Sequence, residues 1–436
     1  MIAWKGKGDA MDVSVNAPEV GGAFGKPDEQ PETAAGRYLP RPKGQRDGVA
    51  LCLSGGGFRA ALFHLGALRR LNELGILSKV DAITSVSGGS IISAHLATQI
   101  RNWPAPGEVF ADWEPVVAAP FRAFAGRDLC TGPVLQILLP WNWFRAGSQA
   151  AALRRRYHER LTSLKLSELG DRPKYVFCAT DLVFAANWKF ERDRVGHRQA
   201  GYAQRPENVS VATAVAASSC FPPLFEPMGL PVPADHIQGG RFQPEQRRQE
   251  LLRGIRLSDG GVYDNMGLEP VWKDSSVVLV SDGGAPFQFV ESRMPWHRLK
   301  RYVDIAARQG STVRKRWLIG QMIEGVMDGA YWGVASSPQR YHASYPGYSK
   351  ELAEECISRI RTDMNRFSDA EIAILENHGY LLADAAVRQH AEQLASVAAP
   401  LAVPHPEWMD EGRVRKALAN SRRQLTLQRF LDLFRA

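Results

Sequence analysis

The chain has 436 residues, 44% of them hydrophobic, which is enough to bury a large core in one domain or two of ordinary size. No run reaches eighteen apolar residues, so no membrane-spanning helix is expected. The formal net charge is +8, which suits an anionic membrane, a nucleic acid or plain solvent and by itself selects none of them.

Residues 1–47 lack the pattern of a signal peptide and are rich in Gly, Pro, Glu and Lys, so they are read as a mostly disordered leader. From residue 48 the pattern turns to βα. Val49 to Ser54 is strand-like, and Phe58 to Leu74 is helical with Phe63, Ala67, Leu71 and Leu74 on one face. A second strand is predicted over Val80 to Val86 and a second helix over Gly88 to Arg101. Two strands joined by a helix imply a parallel pair with a right-handed crossover.

Residues 102–170 break this rhythm and are read as an insertion. They hold Trp103, Trp113, Trp141, Trp143 and a basic run, Leu153 to Tyr157. The stretch from Val134 to Arg145 is either a lid that contacts lipid, since aromatics beside basic residues suit a membrane interface, or an apolar patch packed on the core. The core resumes with a strand over Tyr175 to Thr180 and a helix over Asn208 to Ala217 that breaks at Phe221-Pro222-Pro223. Residues 231–254 read as an exposed loop. Short strands then run into Asp259-Gly260-Gly261 and Asp282-Gly283-Gly284. Residues 291–436 read as a helical extension, with a capping box at Ser368-Asp369-Ala370-Glu371 and a basic tail from Arg413 that lies on a membrane or packs on its own domain.

Five scattered cysteines, none at metal-ligand spacing, read as reduced thiols of a cytoplasmic protein. The chemistry concentrates in two turns. Ser54-Gly55-Gly56-Gly57-Phe58-Arg59 follows the first strand and opens a helix, so its N–H groups can hold a phosphate or an oxyanion. Ser85-Val86-Ser87-Gly88-Gly89 is a serine between small residues at a strand-to-helix turn, the build of a nucleophile elbow with Ser85 where the G-x-S-x-G pattern has glycine.

A nucleophilic serine needs a base. His95 lies eight residues past Ser87 on the predicted helix, about 12 Å further along and out of reach. His64 falls in a leucine-rich helix, and no other histidine stands in a small-residue motif. The two Asp-Gly-Gly turns each place a carboxylate at a strand end, where the functional groups of parallel sheets gather. Asp259 can thereby reach Ser87 as a dyad, although such a turn is more often only a turn.

Together these stretches resemble the patatin-like phospholipase family. The marks are Gly55-Gly56-Gly57-Phe58-Arg59, then Ser85-Val86-Ser87-Gly88-Gly89, then Asp259-Gly260-Gly261 followed by Val262-Tyr263-Asp264-Asn265. Ala179-Thr180-Asp181-Leu182 and the segment from Ala216 to Pro223 support it. The resemblance implies a three-layer α/β/α fold, with a catalytic domain over 48–290. It implies hydrolysis of acyl esters of lipids with no metal and no cofactor. Carried over, Ser87 is the nucleophile and Asp259 the base. The N–H groups of Gly55, Gly56 and Gly57 hold the oxyanion, and Arg59 helps fix their loop. Asp282 then only ends an interior strand. Membrane lipids are the expected substrate, with peripheral contact to an anionic membrane, and nucleic acid is not an expected partner. Phospholipid, lysophospholipid and triacylglycerol are left open, as is a noncatalytic lipid- or protein-binding module of the same fold.

Overall fold

The computed structural model describes residues 40–129, 148–222, 225–284, 295–342, 344–419 and 421. The stretch 134–145, read as a lid or an apolar patch, lies outside them, as do the leader up to residue 39 and most of the basic tail. Arg41 to Asp47, the end of the predicted leader, are described: the Arg41 and Asp47 N–H groups donate to the Lys273 and Asp274 carbonyls.

The first strands and helices fall where the periodicity predicts them: β1 (Val49–Leu53), α1 (Gly57–Glu73), β2 (Val80–Val86) and α2 (Gly88–Gln99). Residues 102–170 contribute α3 (Ala119–Ala125) and α4 (Ser148–Arg160). There follow β3 (Lys174–Asp181), β4 (Ala186–Phe190), β5 (Arg194–His197), β6 (Gly201–Gln204) and α5 (Val211–Ser219). Next come β7 (Met228–Gly229), α6 (Glu245–Arg253), β8 (Arg256–Asp259), α7 (Gly261–Asp264) and β9 (Val277–Asp282). The C-terminal part holds α8 (Pro295–Ile323), β10 (Asp328–Gly333), α9 (Lys350–Glu355), α10 (Asp369–His390) and α11 (Glu411–Leu418).

One sheet runs β10-β9-β1-β2-β3-β4-β5-β6. It is parallel from β10 to β3 and antiparallel beyond. Side chains alternate across a strand, and here both faces are covered. Leu51, Leu53 and Leu279 join the core under α1, α2 and α10, whereas Ala50, Cys52, Val278 and Val280 join a second core with Leu318 of α8. Helices on both faces make the three-layer α/β/α arrangement.

Three features depart from the sequence reading. The loop 231–254 contains α6, anchored by the buried Arg248, whose guanidinium bonds the Ala200 carbonyl and the Glu245 carboxylate. The C-terminal part is mostly helical, yet it also supplies β10, paired parallel to β9, because Tyr331 and Trp332 pack on the sheet edge. Finally, α1 is buried nearly all round rather than on one face, because α10 lies across it.

That crossing is a backbone contact. A Cβ on Gly66 would meet the Glu376 carbonyl oxygen at 1.8 Å, and one on Gly379 would meet the Phe63 carbonyl oxygen at 1.8 Å. Arg70 and Asp384 seal it as a fully buried pair at 2.6 Å. Gly379→Ala therefore forces the helices apart and is expected to cost about 2–3 kcal/mol, read as a lower urea midpoint. Gly320→Ala on α8, where a Cβ meets nothing within 4 Å, should leave the midpoint unchanged or slightly raised.

Candidate active site

β2 ends at Val86, and the chain turns through Ser87 at φ 49° and ψ −113° into α2. A positive φ on a residue with a Cβ is strained by about 1–3 kcal/mol and persists only where packing enforces it. The enforcement is visible in the two following glycines. A Cβ on Gly88 would stand 2.1 Å from the Gly57 carbonyl oxygen, and one on Gly89 2.1 Å from that of Leu53. The first turn of α2 is thus pressed onto the end of β1 and the start of α1. Ser85, the departure from the elbow pattern, sits in regular extended backbone opposite Phe177 and needs no positive φ.

Asp259 reaches this turn by an unexpected route. It does not come from a parallel strand: β8 is antiparallel to β3, pairing Asp259 with Ala179. β4 occupies one edge of β3, so β2 and β8 must share the other. β2 uses that edge up to Cys178 and β8 takes it from Ala179 onward. The two strands therefore meet head-on, with Ser87 at one end and Asp259 at the other. The Asp259 main chain is held by its N–H to the Cys220 carbonyl at 3.0 Å and by the Thr180 hydroxyl, which donates to the Asp259 carbonyl at 2.8 Å.

The Asp259 side chain is 2% exposed. Burial pushes its pKa up to about 7, against the downward pull of the Gly261 N–H and of the Ser87 side chain. The Gly261 N–H lies 2.7 Å from Oδ1. A carboxylate there can take a proton near neutral pH.

The glycine loop lies beside the elbow. Of its three glycines, Gly55 differs from the expectation, because its N–H donates to the Asn265 carbonyl at 2.9 Å. The Gly56 and Gly57 N–H groups have no hydrogen-bond acceptor among the described residues and stand at the N-terminus of α1. Gly56 and Gly57 have φ of 139° and 59°, and a Cβ on Gly57 would lie 1.7 Å from the Thr362 carbonyl oxygen, so only glycine fits. Arg59 does not face the site. Its buried guanidinium donates to the carbonyls of Gly283 (2.8 Å), Ser358 (2.8 Å) and Ile360 (3.0 Å), tying the loop to the end of β9 and to the C-terminal part.

The two histidines weighed from the sequence, His64 and His95, are engaged elsewhere. His64 bonds Ser281 Oγ at 2.7 Å and the Ser54 carbonyl at 3.0 Å, and His95 bonds the Val117 carbonyl at 2.9 Å. Burial lowers both pKa values to about 4. Asp282 accepts from the Gly284 N–H and the Tyr331 hydroxyl at 2.7 Å and ends an interior strand. The thiols of Cys52, Cys178 and Cys220 are buried and free, and burial raises the pKa of each. Among the described residues no three His, Cys, Asp or Glu side chains cluster as a metal site.

Two residues here carried no role in the sequence reading. Ser218 Oγ accepts from the Ser87 N–H at 2.8 Å, donates to the Cys178 carbonyl at 2.7 Å and meets Ser90 Oγ at 2.9 Å. It pins the strained turn to β3. Ser218→Ala leaves the Ser87 N–H without its partner, with an expected loss of about 1–3 kcal/mol in urea stability. Asn265 closes the other side: a Cβ on Gly55 would meet its Oδ1 at 2.4 Å and the Ser87 Cβ at 3.2 Å. The signal for both was the family resemblance of their segments, which names the residues without saying what they touch.

The family model for patatin-like phospholipase matches residues 51–272 of this chain. Among solved structures, human GIVD cytosolic phospholipase A2 matches with 12% identity over 87% of this chain and 63% of the other, at a TM-score of 0.43. VipD from Legionella pneumophila matches with 15% identity over 79% of this chain and 67% of the other, at a TM-score of 0.33. The chain thus spans less than two thirds of the human enzyme's length. No curated protein sequence matches it.

Proposed function

This chain belongs to the patatin-like phospholipase family, which supports a lipid hydrolase activity, and from that premise we propose that it cleaves acyl esters of membrane phospholipids through Ser87 and Asp259. The observation that carries the reading is the head-on meeting of β2 and β8, which brings the Ser87 turn to a buried Asp259 carboxylate that burial pushes up to about 7 and the Ser87 side chain pulls back down. In this reading Asp259 takes the proton as Ser87 Oγ attacks the ester carbonyl, and returns it to the leaving alcohol. The oxyanion is held by the Gly56 and Gly57 N–H groups and the positive end of the α1 dipole, each donor lowering the barrier by about 2.7–4 kcal/mol. Asp259 then activates the water that releases the fatty acid. Gly55 and Arg59 shape the loop rather than touch the substrate.

We place this chemistry on the cytoplasmic surface of a membrane, a reading supported by the buried free thiols. Among the described residues no helix is long and apolar enough to cross a bilayer. A fluorophosphonate probe should label the protein once, on the peptide carrying Ser87. A screen of phospholipid, lysophospholipid and triacylglycerol should show fatty-acid release from the first. Absence of labelling together with no release from any of the three would overturn the proposal and favour a binding role.

A further inference from the structure

The helix α8 (Pro295–Ile323) carries seven Lys or Arg residues against one acid, a net +6 within a chain of net +8. Its inner side reaches the second core through the fully buried Leu318. Its middle touches α7, just after Asp259: the Arg314 guanidinium bonds the Tyr263 carbonyl and lies 4.8 Å from the centre of the Tyr263 ring. Its outer side holds Tyr302, Val313 and Ile323, which are 66%, 60% and 80% exposed. These are three of the seven large apolar side chains left exposed among the described residues, so such groups are concentrated on this one helix. At about 100° per residue, Tyr302, Val313 and Ile323 share an arc of about 80° with the exposed Gln309 and Arg316, opposite Leu318.

We propose that this face of α8 docks on an anionic lipid bilayer and so sets the Ser87 site against the membrane surface. Both halves of its chemistry match that partner. Tyr302, Val313 and Ile323 can enter the headgroup–acyl boundary while Arg316, on the same arc, meets anionic headgroups. A second copy of the chain would oppose +6 to +6 in a two-fold contact. A nucleic acid would leave the exposed valine and isoleucine without a partner. Docking stands on this surface alone; only its use in presenting substrate rests on the chemistry proposed for Ser87.

The test compares full-length protein on phosphatidylcholine vesicles with and without about one third phosphatidylglycerol. Binding is measured by cosedimentation in a Ser87→Ala background, so that no lipid is consumed. The expected result is at least tenfold tighter binding to the anionic vesicles, lost at high salt. Val313→Asp with Ile323→Asp should weaken it about tenfold and Arg316→Glu several-fold, with unchanged circular-dichroism melts. With Ser87 present, the same surface variants should hydrolyse a soluble short-chain ester at the unmodified rate.

Equal binding to both vesicle types, or variants that bind as tightly as the parent, overturns docking. Variants that abolish a dimer in sedimentation velocity without altering vesicle binding also overturn it, in favour of a contact between copies. Intact docking in a protein that hydrolyses no ester overturns the acyl-hydrolase reading alone.

Discussion

Ser87→Ala is expected to abolish fatty-acid release from phospholipid vesicles, by a factor of about 10⁴ or more, while the protein stays folded. Alanine keeps the Cβ and hence the strained turn at φ 49°, so its urea midpoint should match that of the parent. Ser87→Gly is equally inactive but should be more stable by about 1–3 kcal/mol, since glycine adopts that conformation freely. The pair of variants separates the two roles proposed for one residue: the hydroxyl as nucleophile, and the strain as the cost of presenting it. Equal release by Ser87→Ala and parent would end the proposal that Ser87 is the nucleophile. A Ser87→Gly protein less stable than Ser87→Ala would refute the strain.

The second large effect is expected at Asp259. Its burial holds its pKa at about 7. Catalysis by the ionised form should therefore fall about tenfold per pH unit below 7 and level off above it. Asp259→Asn should lose activity by about 10⁴-fold at every pH.

Stability moves the other way. An unfolded aspartate has a pKa of about 3.9, so between about pH 4 and 7 the folded state binds the extra proton. Stability supplied by the neutral form is present at low pH and declines as pH rises through about 7. The full difference is on the order of 4 kcal/mol. The asparagine variant lacks this dependence. Its urea midpoint should gain on the parent's between pH 5 and 8. Parallel curves for the two proteins would show that Asp259 is not held up by burial.

Much of the site was legible in the chain because its signals are local. A glycine run after an apolar strand marks an N–H cradle, and a serine among small residues marks a tight strand-to-helix turn. Both lie where expected, and both depend on residues within a few positions of each other. The absence of a small-residue motif around any histidine agreed with what packing does to His64 and His95. What could not be read was which donors stay available. The Gly55 N–H is taken by Asn265, the Arg59 guanidinium is spent on three carbonyls, and the Ser87 N–H is held by Ser218. Each of those partners comes from a distant segment.

The sequence by itself determined the alternation of strand and helix from residue 48, the two turns proposed to carry the chemistry and the resemblance that paired Ser87 with Asp259. These follow from hydrophobic period and from backbone conformations that only certain residues adopt. The tertiary structure alone decided that β8 enters antiparallel and meets β2 head-on along β3. It also decided that the C-terminal part completes the sheet with β10 and buries α1 under α10. Those outcomes depend on which surfaces close over one another across the whole chain. Burial is a property of that closure, and burial is what moves the Asp259 carboxylate toward neutral pH.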